Sequence, residues 1–408
     1  MDLKVLYRGD FTSPSGYSRA TRAHVRALLE AGVDVLFENH KCDRNEVPLD
    51  PWWVQTLQER GSRSEHCPVK IWHETPEFYA PSPVHLNVAM LAWETSHLPV
   101  VETQSPRHNW VKQLNRMDEV WTFCQASKKA CERSGVTVPI RVIPHPVDPT
   151  VFRSAQPEDN RTLYGSHRTP LDDHFKFLGV FQWIPRKDPL SLLTAYLTEF
   201  TPKDQTVLVL KTHTEQVGDL DSVVKQIRTL RDHINLVTGH PRVFLVPGML
   251  TDLEMAALYR SCQVLVTASH GEGFCLPSAE AMACGTPVIA PDCSAFPDYV
   301  TEHNGYLVRA EPSPVVGVRH SPWYHSTQTW HTVSTMDLRR RMREAYEERV
   351  GLEDRGRQAV RAMRRLRPDT VGKQMREALE ELVARAHRAA AGSVAAVPRP
   401  TPAPTAGV

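Results

Sequence analysis

The side chains best suited to chemistry lie in one segment, residues 268 to 290, which reads ASHGEGFCLPSAEAMACGTPVIA. It follows an apolar run with the character of a strand and passes through a glycine loop, Gly271-Glu272-Gly273. Pro277 stands where a first helical residue is expected and Gly285 where a helix ends. A helix that opens in this way at the carboxyl edge of a parallel sheet is a ligand position. Free amides around Phe274, Cys275 and Leu276, backed by the helix dipole, suit an anion such as a diphosphate. Two carboxylates flank that site, Glu272 in the loop and Glu280 in the helix. Carboxylates repel phosphate, so their chemistry is to accept hydrogen bonds from neutral hydroxyls at either end of the ligand. A nucleotide sugar carries hydroxyls at both ends. Taken singly, Glu280 also reads as a helix-start charge and Glu272 as a solvated loop residue.

The segment as a whole is more specific than either carboxylate. It closely resembles the signature of retaining glycosyltransferases of the GT-B fold, family 4, in which E-x7-E lies within EGFGLPxxEAMACGxPVI. Here it stands as Glu272-GFCLPSA-Glu280-AMACGTPVI, with Cys275 where the family usually has glycine. The resemblance implies that Glu272 contacts the donor sugar and Glu280 the ribose, with Gly273, Phe274, Cys275 and Leu276 in the donor loop. It extends from about residue 3 to 388. Phe181-Gln-Trp-Ile-Pro-Arg-Lys-Asp-Pro189 stands where the family places an Arg and a Lys that neutralise the donor diphosphate. Lys187 matches and Arg186 is its neighbour, but the usual upstream arginine is absent, with Phe181 and Gln182 in its region. Base contacts are expected from backbone between Val246 and Met249.

NVAMLAWETSHLP, then MDEVWTFCQASKKACERSGV and RVIPHPVDPTVF, resemble a family 4 subgroup with a WET-x-x-LP motif. By the same resemblance, Gly16 in SPSGYS lets backbone approach donor phosphate or acceptor; otherwise it is a tight turn. Ile71-Trp-His-Glu-Thr-Pro76 resembles the family's H-x-H-E-P loop, which puts His73 near the sugar. Glu94, after a strand, either holds an acceptor hydroxyl or caps a helix. The implied reaction uses a nucleotide-diphosphate sugar and retains anomeric configuration, without a metal or other cofactor. The acceptor is left open among a polysaccharide, a lipid-linked glycan, a small metabolite and a modified base, and a nucleic-acid acceptor is the least favoured. Peripheral contact with a membrane and the oligomeric state also stay open. Two rivals remain: a nucleotide-sugar epimerase or hydrolase on the same architecture, and a non-catalytic sugar-nucleotide-binding protein.

These residues need two sheets to position them. Short apolar runs alternate with amphipathic helical stretches almost throughout, the pattern of parallel sheets flanked by helices. Leu3 to Tyr7, Val33 to Phe37, Val69 to Trp72, Asn87 to Trp93, Glu119 to Phe123 and Arg141 to Ile143 read as strands of a first Rossmann-like domain, residues 1–160. Its first helix carries Tyr17, Thr21, Val25, Leu28 and Leu29 on one stripe. A polar, turn-rich stretch between about 149 and 174 reads as a linker. The pattern then restarts for a nucleotide-sugar domain, residues 170–350, with strands at 175–180, 207–210, 243–246, 264–267, 288–290 and 306–308. Thr251-Asp-Leu-Glu254 reads as a capping box before a helix reaching Ser261. The last third is expected to be helical and arginine-rich, with helices at about 355–388 returning to the first domain, as they do in the resembled family. Residues 391–408 are expected to be a disordered tail. The fold class is therefore α/β, two Rossmann-like domains facing across a cleft.

Composition narrows the alternatives. Lys plus Arg total 48 and Asp plus Glu 47 in 408 residues, a net charge of +1 that argues against a general polyanion binder. No apolar stretch reaches the roughly 20 residues that a membrane-spanning helix needs, and MDLKVLYRGDF has no secretory-signal character. The eight cysteines form no C-x-x-C pair and no zinc-spaced cluster, so most are expected to be buried thiols of a cytoplasmic protein. Asp219-Leu-Asp221 is a D-x-D, a metal motif in another fold, but its place before a helix makes capping the better reading. The basic stretches at 339–343 and 357–367 contain interspersed glutamates, and read as solvated helix faces.

Overall fold

The computed structural model describes residues 3–13, 15–40, 49–61, 67–102, 105–156, 171, 173–214, 220–234, 239–318 and 321–395, the last four as backbone alone. Most of the 149–174 linker, residues 396–408 of the expected tail and Asp219 lie outside the described residues.

The first sheet holds β1 (Lys4–Gly9), β2 (Asp34–Asn39), β3 (Val69–His73), β4 (Leu86–Leu91), β5 (Glu119–Thr122) and β6 (Ile140–Val142), all parallel, in the order β2-β1-β3-β4-β5-β6. Helices α1 (Gly16–Glu30), α2 (Pro51–Arg60), α3 (Trp110–Leu114) and α4 (Gln125–Ser134) connect its strands. The second sheet holds β7 (Phe175–Gln182), β8 (Thr206–His213), β9 (Arg242–Val246), β10 (Val264–Val266), β11 (Val288–Pro291) and β12 (Gly305–Val308), also parallel, in the order β12-β11-β10-β7-β8-β9. Its helices are α5 (Pro189–Glu199), α6 (Asp221–His233), α7 (Asp252–Ser261) and α8 (Leu276–Ala283). Central strands such as Val264–Val266 and Val288–Pro291 are buried along their whole length, as expected where helices cover both faces. Each sheet reverses its strand order once, between β1 and β3 and between β7 and β10. Loops leaving neighbouring strands diverge there and open a crevice.

Local signals explain the helix starts. Ser15 caps α1 by accepting from the Ser18 amide. Thr251 caps α7 by accepting from the Glu254 amide, while the Glu254 carboxylate accepts from the Thr251 amide at 2.7 Å. On α1 the buried set is Ser18, Ala20, Thr21, His24, Val25, Ala27 and Leu28, with Tyr17 and Leu29 only half-buried. The stripe is wider than one helix face requires because a second layer covers it.

That layer comes from the C-terminal end. After β12 the chain forms an antiparallel hairpin, β13 (Ala310–Pro314) and β14 (Thr329–Val333), in a region expected to be helical. Prolines at 312 and 314 bar a helix there. Helices α9 (Thr335–Glu347), α10 (Arg349–Met363) and α11 (Pro368–Ala395) follow, so the last helix runs beyond residue 391, where the tail was expected to begin. The chain crosses back beside its own outward crossover, where the Val147 amide donates to Leu366 O at 2.7 Å. From there α11 lies on α1, with Arg385 on Glu119 at 2.9 Å and Arg376 donating to Ala31 O at 2.8 Å. A Cβ on Gly372 would stand 2.1 Å from Ala27 O, so the two helices meet at backbone distance.

Gly372→Ala therefore sets helix propensity, worth about 1 kcal/mol in favour of alanine, against overpacking that costs about 1–3 kcal/mol. The contact is with backbone and cannot give way, so the variant should melt below the wild type by thermal denaturation. A higher melting temperature would show that α11 is not held this closely.

Candidate functional site

In the second domain the crevice lies between the loops leaving β7 and β10. The first makes a single 3-10 turn, Pro185–Lys187, and then Asp188, at φ 45°, caps α5 by accepting from the Ser191 amide. The second is the glycine loop. The His270 amide donates to Arg186 O at 2.8 Å, and Ser269 Oγ reaches Arg186 O and Gly271 O at 3.2 and 3.1 Å. Behind the loop, the amide of His331 on β14 donates to His270 O at 2.9 Å, and the His270 ring stacks on Trp330 at 4.5 Å. Ser294 closes the other side: its Oγ accepts from the Glu272 amide at 2.8 Å and donates to Glu272 O at 2.7 Å.

This backbone brings Glu272, Lys187 and Arg186 together. Glu272 is 5% exposed and pairs with Lys187 Nζ and, at 3.0 Å, with an Arg186 terminal nitrogen. Burial alone would push the carboxyl up, but Lys187 and Arg186 outweigh it and bring it down to about 2. Arg186 is more fully engaged than a free phosphate ligand would be. It also donates to Gly271 O at 2.6 Å and meets Glu94 of the first domain at 3.2 Å. These carboxylates offset its burial and hold its pKa above the ordinary arginine range.

Helix α8 starts at Leu276, one residue before Pro277. Cys275 precedes it in the left-handed region, φ 72°, at the position where the resembled signature has glycine. Among the described residues the amides of Phe274, Cys275 and Leu276 donate to no protein acceptor. They are fixed nonetheless, since Tyr299 donates to Phe274 O at 2.8 Å. Farther along, Glu280 is 3% exposed. Tyr259 donates to its Oε2 at 2.9 Å, and Arg19 of α1 to its Oε1 at 2.7 Å. Burial pushes the Glu280 carboxyl up, with Arg19 pulling the other way. Met249 is exposed in the loop after β9, where Lys211 Nζ donates to the neighbouring Gly248 O. Asp221 is the first residue of α6, outside this constellation.

The first domain faces this site closely. A Cβ on Gly271 would lie 2.5 Å from Glu94 O, and one on Gly273 3.0 Å from the Ala92 Cβ. These glycines therefore admit the loop after β4, a packing reason that the sequence signature does not display. Glu94 accepts from the Tyr324 hydroxyl as well as pairing with Arg186. Tyr324 belongs to the loop joining β13 and β14, stacks on Trp93 at 5.5 Å, and has Trp323 beside it on Trp110 at 5.1 Å. His73 ends β3 and is 1% exposed. Tyr7 Oη lies 2.7 Å from its Nδ1, and its ring packs with those of His24, Phe123 and His145. Burial drives His73 and His145 well below the usual histidine range and His24 down to about 4, so the group is neutral. Phe274 meets His145 at 4.9 Å from across the cleft. Gly16 is the exposed first residue of α1, with nothing within 4 Å of an added Cβ.

The site thus unites Glu272, Lys187, Arg186 and Glu94, and sets Glu280 with Arg19. Arg19, Tyr259, Ser294 and Tyr324 were not singled out from sequence. Arg19 lies three residues after Gly16, which offered a signal. Tyr324, 230 residues from Glu94, offered none.

Residues 175–315 match the family described as glycosyl transferases, group 1. A D-inositol 3-phosphate glycosyltransferase of Stackebrandtia nassauensis is 40% identical over 179 residues, 42% of this chain and 37% of that protein. The serotype-specific mannosyltransferase WbdA of Escherichia coli is 29% identical over 133 residues, 32% of this chain and 15% of that protein. The chain spans well under two thirds of the length of these relatives. HepE of Anabaena, solved in complex with UDP and glucose, superposes with a TM-score of 0.64 at 15% identity, over 93% of this chain and 100% of that one. Sucrose-phosphate synthase of Thermosynechococcus elongatus gives 0.65 at 17%, over 94% and 100%. Both neighbours share the arrangement of two Rossmann-like domains, the GT-B fold.

A pH titration tests the pairing of Glu272. Its folded pKa of about 2 lies below the ordinary 4.5, so its contribution is complete above pH 4.5 and is lost as pH falls toward 2. The shift corresponds to about 3 kcal/mol. Glu272→Gln should be less stable than wild type near neutrality in urea unfolding, and the gap should close on acidification through that window. A gap independent of pH would mean that the carboxylate is not held by its two cations.

Proposed function

We propose that this chain is a retaining glycosyltransferase that moves a sugar from a nucleoside diphosphate sugar to an acceptor hydroxyl. The observation that carries this reading is the switch point of the second sheet, where Lys187 and Arg186 on the loop after β7 pair with Glu272 on the loop after β10, just before the unpaired amides at the start of α8, the helix that carries Glu280. The family match over residues 175–315 covers the same elements. In this reading Glu272 holds hydroxyls of the donor sugar, Glu280 those of the ribose, and backbone near Met249 the base. The α8 amides and Lys187 face the diphosphate. Arg186, tied to Glu94 and Glu272, keeps Glu272 ionised and oriented.

The transition state has oxocarbenium character, with negative charge growing on the departing diphosphate. In the step proposed, the bond from the anomeric carbon to the diphosphate oxygen breaks while the acceptor oxygen bonds the same face. The acceptor proton passes to the leaving phosphate. The α8 amides and Lys187 stabilise that phosphate, and the closed cleft excludes water. His73 and Glu94 belong to the acceptor side, His73 through the ring cluster that backs Phe274 and Glu94 through its bridge to Arg186. The fixed positive groups supply what a divalent metal would otherwise supply, so turnover is expected to survive EDTA. Among the described residues no helix is long and apolar enough to cross a membrane.

Incubating the protein with a panel of nucleoside diphosphate sugars, with and without an acceptor library, tests the reaction class. Transfer that requires an acceptor supports the reading. Release of nucleotide or epimerised sugar without acceptor would make the protein a hydrolase or epimerase, and binding without turnover a non-catalytic protein. Lys187→Ala should lower turnover roughly 100- to 1000-fold, by analogy with loss of one preorganised donor to a transition-state anion. Unchanged kinetics in that variant would remove Lys187 from the chemistry.

A further inference from the structure

Glu280 is the residue with the least expected surroundings. It lies in the second domain, but one of its two strong partners comes from the first. The N-terminal turn of α1 enters the cleft, and Arg19 on it reaches Glu280 Oε1 at 2.7 Å and Asp252 Oδ1 at 3.1 Å. The guanidinium rests over the Phe152 ring at 6.0 Å, and Phe152 in turn packs on Tyr259 at 6.2 Å. Tyr259 donates to Glu280 Oε2 at 2.9 Å. Each carboxylate oxygen is therefore held by one donor from a different direction, which fixes the plane of the group.

An ionised carboxylate offers about four lone-pair positions. Two are used here, one on each oxygen, and two remain. Two remaining acceptor positions on adjacent oxygens match a pair of neighbouring hydroxyls, as on a ribose. A protonated Glu280 would lose that match, because one oxygen would become a donor. Arg19 is the cation in contact with Glu280, and Asp252 competes for it from a more exposed position.

We propose that Arg19 is a positioning residue for the nucleotide: it crosses from the first domain to hold Glu280 ionised and aligned, so that recognition of the ribose diol is complete only in the closed protein. This rests on the reading of Glu280 as the ribose ligand. It differs from a simple interdomain tether because it ties Arg19 to one chemical feature of the ligand, the 2′-hydroxyl. A site built to hold a hydroxyl rejects the analogue lacking it far more strongly than a loosely fitted site does.

The test is calorimetric, on the full chain, with uridine, guanosine and adenosine diphosphates and their 2′-deoxy counterparts. The wild type should bind one ribonucleotide and discriminate against its deoxy form. Arg19→Gln should weaken that ribonucleotide roughly 10-fold, the size of a coupling between contacting groups, while leaving the deoxy analogue nearly unchanged, so that discrimination collapses. Arg19→Lys should restore part of it, and melting curves of both variants establish that they are folded. Equal weakening of both nucleotides, with discrimination intact, would make Arg19 a tether only. Tighter binding by Arg19→Gln would make it a competitor of the ribose. Either result overturns the proposal. If the wild type binds none of the ribonucleotides, the reading of the Glu280 site itself fails and the proposal falls with it; binding by the wild type with unaltered behaviour in Arg19→Gln refutes the proposal alone.

Discussion

A carboxylate removed from water must be paired, and the pairing of Glu272 organises the rest of this molecule. Its two cations stand on the turn after β7, and Glu272 itself stands on the loop after β10. Those two loops are neighbours only because the second sheet reverses its strand order between these strands. Breaking one partner of such a buried pair is costly, whereas the intact pair is a weak source of net stability. The geometry it enforces is therefore its main effect: two loops from distant parts of the sequence are held in one arrangement, with Ser269, Ser294 and His270 bracing the backbone around them.

The same pairing extends across the cleft. Arg186 serves Glu272 and Glu94 at once, and Glu94 is also held by Tyr324. The connection runs from the glycine loop through the first domain to the loop joining β13 and β14, whose strand β14 already supports His270. The β13–β14 hairpin thus touches the glycine loop at one end and the Trp93 and Trp110 rings at the other. A second bridge, Arg19 to Glu280, lies farther along α8. Toward the other end of α1, the helix that carries Arg19, α11 fastens at Ala27 and Ala31. Closure, the C-terminal helix and the carboxylates of the crevice are parts of one connected arrangement.

Charge placement follows from this. Near the crevice the buried carboxylates are matched by cations, and the three neighbouring histidines of the first domain are kept neutral by burial. In the proposed reaction, the unpaired amides at the start of α8 and Lys187 face the negative charge that gathers on the leaving group.

Much of the fold was legible in the linear pattern. All twelve strands of the two sheets were expected near their observed positions, because period and apolar content report burial directly. The α7 capping box was legible for the same reason, as an interaction between residues three apart. The hairpin β13–β14 was not, since its pairing joins residues far apart in a stretch rich in proline and polar residues. Within the crevice, the glycine loop, Glu272 and Glu280 stood out because their spacing is local to one strand-loop-helix unit, and Lys187 stood out separately, in the segment after β7 that resembles the family pattern. The sequence by itself thus determined which short segments form strands and helices, and which loop carries the glycines and carboxylates of the candidate site. Only the tertiary structure decided that Arg186 faces two carboxylates, that Gly271 and Gly273 make room for the first domain, and that Arg19 and Tyr324 reach the site at all. These are contacts between chain segments 85 to 261 residues apart. They depend on strand order and domain closure, which no local periodicity encodes.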